Sequence, residues 1–500
     1  MEQSKKQIKL GAIISYSALA INILATLLYM PWMVSVIGES NYAMYTLANS
    51  FVNIFVIDFG LSSAVSKFVA QYRAEENKEK EMQFISTVTK VYLILDIAIF
   101  VVLFVLFFFV GTIYKGLTVE EIRTFKGLYL IVASYAVVSF PFMPLSGIMY
   151  AYEKLIETKL CEALQKVFSI VMVVIALLYK ADVIYVVLAN VVSAFITIVA
   201  KYYIVKKGTP VQIKLSWARM SMFKEVVAFT AWLAVQSIAQ RCLFNLAPTI
   251  LGIVATSKDI AVFAPATSVE GYFSTVAAAI HGFFIMRITK YVIKNEKEQL
   301  YLLMLKVGRY QVILLSWIYI VFVCAGKNFM CAWMGPEFVL AWPCAMLVML
   351  PDIMIFSMQV ANTAAVAGNL VKQQAFGYVI MALICVLLSV PLSKIWGAPG
   401  AAMAIAIAYF TLFIYNNILY SKKMKLNMWK FVKECYGTLI CSIFVVGVAG
   451  YLICDRLVQI DGWKGFVVEA IIASVLYLVV MICAITKEER ELILGVFRKK

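Results

Sequence analysis

Several charged side chains fall inside long apolar segments of this 500-residue chain. A charge near the middle of a membrane costs about 3 kcal/mol or more, so such residues are candidates for function. Arg241 and Asn245 lie one helical turn apart, and Pro248 follows them and is predicted to break the helix. Because arginine stays charged and grips phosphate with two parallel hydrogen bonds, this group predicts an anion-binding site. Pairing of Arg241 with Asp58 or Glu270 is the structural alternative.

A second group of polar residues shares one face of a predicted helix. Glu270 and His281 are eleven residues apart, which is three helical turns, and Ser274 lies between them on the same face. This stripe fits the wall of a wet cavity, in which His281 could titrate near neutral pH. A packed seam between two helices is the alternative. Asp352 and Thr363 share a face of another apolar segment in the same way.

Asp58 interrupts the apolar stretch FVIDFGLSSAV, residues 55–65. Lys67 follows nine residues later, which is about 13 Å further along a helix and on its opposite side, so the two do not pair within one helix. Asp58 is therefore predicted to face either a cavity or a cation from another helix. A buried structural ion pair is the alternative interpretation.

The composition shows which solvent surrounds these residues. Hydrophobic residues make up 63% of the chain and charged residues 14%, and the mean hydropathy is +0.90. A soluble protein of this length could not hide so much apolar surface. Because the apolar runs are continuous rather than alternating, helices and not strands are predicted to satisfy the backbone polar groups in lipid. The chain is therefore predicted to be an all-α polytopic membrane protein.

Fourteen apolar segments are predicted to span the membrane, with short connections between them. An even number of spans puts both termini on one side of the membrane. Of the 44 basic residues, 32 fall on the side of the termini and nine in the opposite loops. Basic residues concentrate in cytoplasmic loops, so both termini are predicted to be cytoplasmic.

Spans one to six and seven to twelve share a common spacing. Pro31 is predicted to close span one, and Pro248 stands at the corresponding place in span seven. The predicted architecture is two six-helix lobes, related by a pseudo-twofold axis along the membrane normal, plus two further helices. The predicted boundaries are 1–209 for the first lobe, 210–422 for the second, and 423–500 for the last two spans and the tail. In such repeats the substrate site lies between the lobes, near mid-membrane.

Sequence motifs for other chemistries are absent from the chain. It contains no GxxxxGK[ST] phosphate loop, no HExxH and no GxSxG, so neither an enzyme nor an ATP-driven pump is predicted. Its ten cysteines form no CxxC pair, and it has one histidine. No metal site and no bound cofactor are therefore predicted.

Three stretches resemble signatures of the polysaccharide flippases of the O-antigen (Wzx) type. IDFGLSSAVSKFVAQY, residues 57–72, resembles their second helix, in which an acidic residue precedes a Phe/Leu-Gly-Leu step. GIMYAYEKLIETKL, residues 147–160, resembles the loop between their fourth and fifth helices, and IWGAPGAAMAIAIAY, residues 395–409, resembles their entry to helix twelve. The likeness covers nearly the whole chain and extends to the multidrug/oligosaccharidyl-lipid/polysaccharide exporter superfamily.

The resemblance implies a V-shaped, MATE-like pair of lobes that works by alternating access. The implied substrate is an undecaprenyl-diphosphate-linked oligosaccharide, moved from the cytoplasmic to the outer leaflet of the bacterial plasma membrane for surface polysaccharide synthesis. The implied partners are this lipid, the surrounding membrane lipids, a polysaccharide polymerase and a chain-length regulator. A proton or sodium gradient is the implied source of energy.

The resemblance also implies roles for the ionisable residues. Arg241, with Lys67 and Arg287 at the inner mouth, would neutralise the diphosphate. The acidic residues would line the cleft or carry a coupling ion. Asn245 stands where an aspartate is expected, which argues against a cation site there. The complete set of predicted substrate-binding residues is Arg241, Asn245, Asp58, Glu270, His281, Asp352, Lys67 and Arg287.

Three other roles are open to a polytopic membrane protein, and each is weighed against the flippase. A cation-coupled multidrug exporter of the same superfamily needs an acidic residue in its first helix, but residues 10–31 contain none. A membrane-embedded polymerase or glycosyltransferase needs a large polar loop with catalytic carboxylates, but the polar connections here are short and mostly basic. A purely structural scaffold would leave Arg241 unexplained. The flippase is therefore the preferred prediction, and the multidrug exporter is the alternative.

Overall fold

The computed structural model of this chain describes residues 23–211, 215–282 and 284–484, and these ranges contain helices and no β-strand. The chain forms two compact units, Met1–Ala261 and Val262–Lys500, and the boundary between them falls inside α10. The helices of the first unit, up to the one that crosses the boundary, are α1 (Ile23–Ile37), α2 (Glu39–Phe55), α3 (Leu61–Ala74), α4 (Lys78–Ile113), α5 (Val119–Ser139), α6 (Pro144–Ala151), α7 (Leu155–Tyr179), α8 (Val183–Gly208), α9 (Met220–Val254) and α10 (Ser257–Gly282).

The second unit continues from α10 with a further series of helices. These are α11 (Ile285–Ile293), α12 (Lys297–Met334), α13 (Ala341–Ser357), α14 (Gln359–Ala367), α15 (Val371–Trp396), α16 (Ala398–Leu419), α17 (Met428–Tyr436), α18 (Leu439–Leu457) and α19 (Gly462–Ala484). The division predicted from the sequence, with boundaries after residues 209 and 422, stays a prediction.

The number of membrane spans can be compared directly with the prediction. Within the described ranges, ten helices are long and apolar enough to cross a membrane. Two bent pairs, Ile23–Ile37 with Glu39–Phe55 (115°) and Ala341–Ser357 with Gln359–Ala367 (54°), raise the number to twelve if each pair is one span. The all-helical polytopic fold is therefore confirmed, whereas the count of fourteen is not. The beginning of the first predicted span lies outside the described residues.

Two prolines that were predicted to end or break helices do neither. The helix containing Pro31 continues to Ile37, and α9 runs without interruption through Pro248. Proline removes one backbone N–H, but neighbouring helices and side chains can satisfy the freed carbonyl in a membrane protein. The predicted break beside Arg241 is therefore wrong.

The helix break that the structure does contain lies between α2 and α3. Val56, Ile57 and Asp58 are not helical, and Phe59 and Gly60 both have left-handed backbone angles, with φ of 52° and 72°. Such angles are unfavourable for a side chain as large as phenylalanine. The break ends α2 after Phe55 and starts α3 at Leu61, so it leaves the N-terminus of a helix inside the first unit.

Glycine is needed at position 60 for two reasons, and this gives a first prediction. A Cβ atom there would lie 3.0 Å from the Cβ of Leu233 in α9, and φ is +72°. The Gly60→Ala substitution is expected to cost about 1–2 kcal/mol of stability through its backbone angle alone. We therefore expect a lower midpoint of thermal unfolding for the purified variant in detergent.

Gly127→Ala is the matched control, because a Cβ atom at this helical position in α5 would meet no atom within 4 Å. Alanine is favoured over glycine inside a helix by roughly 0.5–1 kcal/mol, so this variant should be as stable as the original chain or more so. Equal midpoints for the two variants would contradict the structural role assigned to Gly60.

Candidate functional site

A pocket of about 450 Å³ lies beside the α2–α3 break in the first unit. The break contributes Ile57, Asp58 and Gly60, and Ser63 comes from the first turn of α3. The other wall is α9. We call this the arginine pocket, after the one cationic side chain among its lining residues.

The α9 wall of the arginine pocket is a single face of the helix. Its members are Ser237, Gln240, Arg241, Phe244 and Asn245. Their spacing of three or four residues brings side chains to one side of an α-helix. All of them except Phe244 carry hydrogen-bond donors, so this face is polar although the helix is apolar enough to cross a membrane.

The Asp58 carboxylate is held by α3 and α4. It accepts hydrogen bonds from the Ser62 backbone N–H at 3.2 Å, from the Ser62 hydroxyl at 2.8 Å, and from the Tyr92 hydroxyl. The first N–H groups of a helix have no partner within it, and the helix dipole favours a negative charge there. Asp58 therefore stabilises the start of α3, and it also lines the arginine pocket.

The Arg241 guanidinium is half-buried on the opposite wall. Its Nη1 lies 3.5 Å from the Asn53 carbonyl oxygen, which is at the long limit for a hydrogen bond. In the part of the chain that the structure describes, Arg241 forms no ion pair within 4 Å, although Asp58 acts on it electrostatically. Most of its N–H donors therefore remain available, in contrast to the predicted alternative of a closed ion pair.

The charges that line the arginine pocket are balanced rather than strongly positive. One arginine stands against one aspartate, so any anion must be held by directed hydrogen bonds rather than by net charge. The guanidinium fork, the Gln240 and Asn245 amides and the Ser63 and Ser237 hydroxyls supply donors from both walls. This combination can bind a phosphate or diphosphate group.

The acidic residues of the second unit form a buried pair. Glu270 on α10 is 8% exposed and Asp352 on α13 is 2% exposed, and their carboxyl groups are close enough to hydrogen-bond. Ser274 is within reach of Glu270, whereas Asp352 Oδ2 has no hydrogen-bond partner. A hydrogen bond between two carboxyl groups requires a proton on one of them. The pair can therefore hold a proton in an apolar environment.

His281 lies further along the same helix and contacts α14. Its Nε2 is 2.8 Å from the Thr363 hydroxyl, while its Nδ1 is buried and has no partner. Between Glu270 and His281, the Ala277 carbonyl accepts a hydrogen bond from Gln311 of α12 at 3.1 Å. This face of α10 thus packs against neighbouring helices of the second unit, as in the helix–helix seam that the sequence left open.

The two predicted cations at the inner mouth lie on separate helices and line neither of these sites. Lys67 is exposed on α3, with its ammonium 5.1 Å from the Phe68 ring centroid. Arg287 is exposed on α11 and donates from Nε to the Tyr291 hydroxyl at 2.9 Å.

Several residues of these sites were not predicted from the sequence. Ser237, Gln240 and Phe244 flank Arg241 at helical spacing, so a search for polar residues around the arginine could have found them. Tyr92 and Tyr409 could not have been found by their spacing in the sequence. Tyr92 is distant from Asp58 in the sequence, and Tyr409 of α16 lies beside the Glu270–Asp352 pair.

Comparison with known proteins supplies a family and a fold. The model of the family described as polysaccharide biosynthesis protein matches residues 9–282, more than half of the chain. A Bacillus subtilis (strain 168) protein, described as uncharacterized membrane protein EpsK, is 24% identical in an alignment 507 positions long that covers 97% of this chain and 96% of that protein.

Solved structures with the same fold include two membrane transporters. The lipid II flippase MurJ, in an inward closed conformation, has a TM-score of 0.68 and 14% identity, over 96% of this chain and 98% of MurJ. An inward-facing multidrug resistance transporter of the MATE family and MOP superfamily has a TM-score of 0.67 and 15% identity, over 83% of this chain and 99% of that one. At these identities the likeness establishes the fold alone.

Proposed function

This chain belongs to the polysaccharide biosynthesis protein family, and we propose that it is a flippase for undecaprenyl-diphosphate-linked oligosaccharides. It would carry the repeat unit of a surface polysaccharide from the cytoplasmic to the outer leaflet. The lipid flippase among the proteins of the same fold supports a lipid-linked substrate. We assign the chain a transport function rather than an enzymatic one.

The observation that carries this proposal is the arginine pocket. A diphosphate-linked sugar is too polar to cross hydrocarbon unaided, because its charges and hydroxyls would lose their hydration. Arg241, Asn245 and the hydroxyls around them offer replacement hydrogen bonds within an otherwise apolar helical unit. The polyprenyl chain needs no such site, since it stays in the lipid while the headgroup moves.

The other predicted site residues have separate roles in this proposal. Asp58 fixes the start of α3 and so keeps the Ser63 side of the pocket in place. Exposed Lys67 and Arg287 attract the anionic headgroup towards the protein from the membrane surface. His281 and Thr363 join α10 to α14, three helical turns along α10 from Glu270.

We further propose that the Glu270–Asp352 pair couples transport to a proton gradient. Alternating access moves substrate uphill only if a second species moves downhill in the same cycle. A buried carboxyl pair can take up one proton and release it when its surroundings change. The free Asp352 Oδ2 is the acceptor available for that proton. Sodium is the other ion to be tested.

The membrane and the partners follow from the same proposal. The chain would lie in the bacterial inner membrane with both termini cytoplasmic, because most basic residues fall on that side. A polysaccharide polymerase would receive the flipped repeat units in the outer leaflet, and a chain-length regulator would act on the polymerase.

A cation-coupled multidrug exporter is the second candidate, since a transporter of that class has the same fold. The described part of its first helix, Ile23–Ile37, contains no acidic residue. The one carboxylate that lines the arginine pocket, Asp58, already accepts hydrogen bonds from Ser62 and Tyr92, whereas the pocket's other polar side chains are donors that suit an anion better than a cationic drug. Both observations favour the flippase.

Transport in proteoliposomes tests the proposal. The probe is an undecaprenyl diphosphate carrying one radiolabelled sugar, and external periodate, which does not cross the membrane, oxidises only the sugar of the outer leaflet. Without the protein, only the labelled lipid that starts in the outer leaflet should be oxidised. With the protein, we expect the oxidised fraction of the labelled lipid to rise towards all of it. Equal fractions with and without protein, together with transport of a cationic dye, would favour the multidrug exporter instead.

A further inference from the structure

A second candidate site lies in the other unit, where α16 ends and α17 begins. Here a groove of about 510 Å³ runs between the last turns of α16 and the outer face of α17. We call it the basic groove, and its main lining residues are Phe413, Ile414, Ile418, Lys422, Trp429 and Val432. None of these residues takes part in the arginine pocket or the carboxyl pair.

The local sequence explains how the groove arises. After Leu419 the helix widens into one π-helical turn, Tyr420–Met424, and Lys425 then adopts a left-handed backbone with φ of 57°. This turn ends α16 and reverses the chain. Asn427 then starts α17 by accepting a hydrogen bond from the Lys430 N–H at 2.9 Å. π-Helical turns often mark functional positions in helices.

The short helix α17 is amphipathic and lies against the unit by one face. Met428, Phe431 and Cys435 are buried, whereas Trp429 is 82% exposed. A tryptophan so exposed is unfavourable in water, but its ring fits the boundary between lipid headgroups and hydrocarbon. Trp429 therefore marks the level of the membrane surface beside the groove.

The floor of the groove is apolar and follows α16 into the membrane. Ile414 and Ile418 lie one turn apart and are 59% and 51% exposed. Two such side chains on an outer face of a spanning helix are in contact with lipid. The six residues from Phe413 to Ile418 extend for about 9 Å, enough for the first carbons of a hydrocarbon chain.

The rim of the groove is strongly basic. Residues 421–434 contain five lysines and one acidic residue, Glu434. Lys430 lies 3.7 Å from Glu434. Lys422 and Lys423, both exposed, form no ion pair with any other residue that the structure describes. Among the described residues, Lys422 and Lys423 thus carry positive charge without a counter-charge, whereas Lys430 is paired with Glu434.

We propose that the basic groove binds an anionic glycerophospholipid of the phosphatidylglycerol type. Its phosphate would lie beside Lys422, with the charge of the adjacent Lys423 adding to the attraction, its glycerol backbone beside Trp429, and one acyl chain along Ile418 and Ile414. The apolar floor, the interfacial tryptophan and the uncompensated lysines meet in the order in which tail, glycerol and phosphate occur in the lipid. The site does not depend on the proposed transport function.

Native mass spectrometry of the full-length protein in detergent tests this site. The probes are phosphatidylglycerol and phosphatidylcholine with identical acyl chains. We expect the protein to retain more phosphatidylglycerol than phosphatidylcholine. Each lysine near a membrane surface contributes about fivefold to the binding of anionic lipid, so the double variant Lys422→Gln/Lys423→Gln should bind it roughly 25-fold more weakly. Phosphatidylcholine binding should not change.

The double variant Lys206→Gln/Lys207→Gln is the matched control. These two exposed lysines are also adjacent and also end a spanning helix, α8. Thermal unfolding of both double variants checks that each is folded. Equal retention of the two lipids by the original protein, or an equal loss in the control, would overturn the proposal. It would also fail if undecaprenyl phosphate displaced phosphatidylglycerol at lower concentration than phosphatidylglycerol itself, because the groove would then hold the substrate tail.

Discussion

Replacement of Arg241 with alanine is expected to slow flipping of the diphosphate-linked lipid by roughly ten- to hundredfold. A hydrogen bond to a charged group contributes about 1.5–3 kcal/mol, and each 1.4 kcal/mol is a factor of ten. The guanidinium is the one cation lining the arginine pocket and forms no ion pair with another described residue. Its removal should therefore affect the ligand more than the fold. Initial flipping rates in proteoliposomes measure the effect.

Two further variants sharpen this test. Arg241→Lys keeps the charge but loses the bidentate fork, so an intermediate rate is expected. Arg219→Ala removes an exposed arginine at the start of the same helix, whose contact with Glu79 is 3.9 Å long, and should leave the rate nearly unchanged. A normal rate for Arg241→Ala at normal protein level would remove this residue from the headgroup site.

Substitution of Asp352 by asparagine is expected to abolish gradient-driven accumulation while flipping to equilibrium continues. Asparagine keeps the shape of the side chain but cannot take up the proton that the Glu270–Asp352 pair would exchange. The measurement compares the final distribution of the labelled lipid in vesicles with and without an imposed proton gradient. With the original protein and a proton gradient, the labelled lipid should accumulate in one leaflet beyond its equilibrium share. With the variant, its distribution should stop at equilibrium.

Glu298→Gln provides the control for this second prediction. Glu298 is exposed in the first turn of α12, so its neutralisation should preserve accumulation. Accumulation by the Asp352→Asn protein equal to that of the original would contradict proton coupling through the pair. Accumulation driven by sodium alone would identify the other ion.

The sequence was most informative where a local rule decides the structure. Continuous apolar runs identified a helical membrane protein, because lipid leaves the backbone no other partners. The helical spacing of Arg241 and Asn245 put both on one face of α9, where the structure also finds them. The stretch at residues 395–409 contains Gly397 and Gly400, and the structure gives a reason for the second glycine. A Cβ atom on Gly400 would lie 2.0 Å from the Leu392 carbonyl oxygen, so only glycine lets α16 pack so closely on α15.

Features that depend on tertiary contacts could not be predicted in this way. Pro31 and Pro248 are strong local signals for a helix end, yet both segments stay helical beyond the proline. The true break at Phe59 requires a left-handed phenylalanine, which no propensity favours. The contact of Glu270 with Asp352 and the bond from Tyr92 to Asp58 join distant parts of the chain. These contacts tie Asp58 to α4 and make the acidic residues of α10 and α13 partners.

Photo-crosslinking of a diphosphate-linked lipid to the purified protein tests the central claim most directly. The probe is an undecaprenyl diphosphate with a diazirine on its first sugar, and peptide mass spectrometry identifies the attachment sites. We predict attachment within residues 57–63 and 237–245, and competition by unlabelled lipid diphosphate. Specific, competed attachment confined to other segments would show that the headgroup does not pass through the arginine pocket.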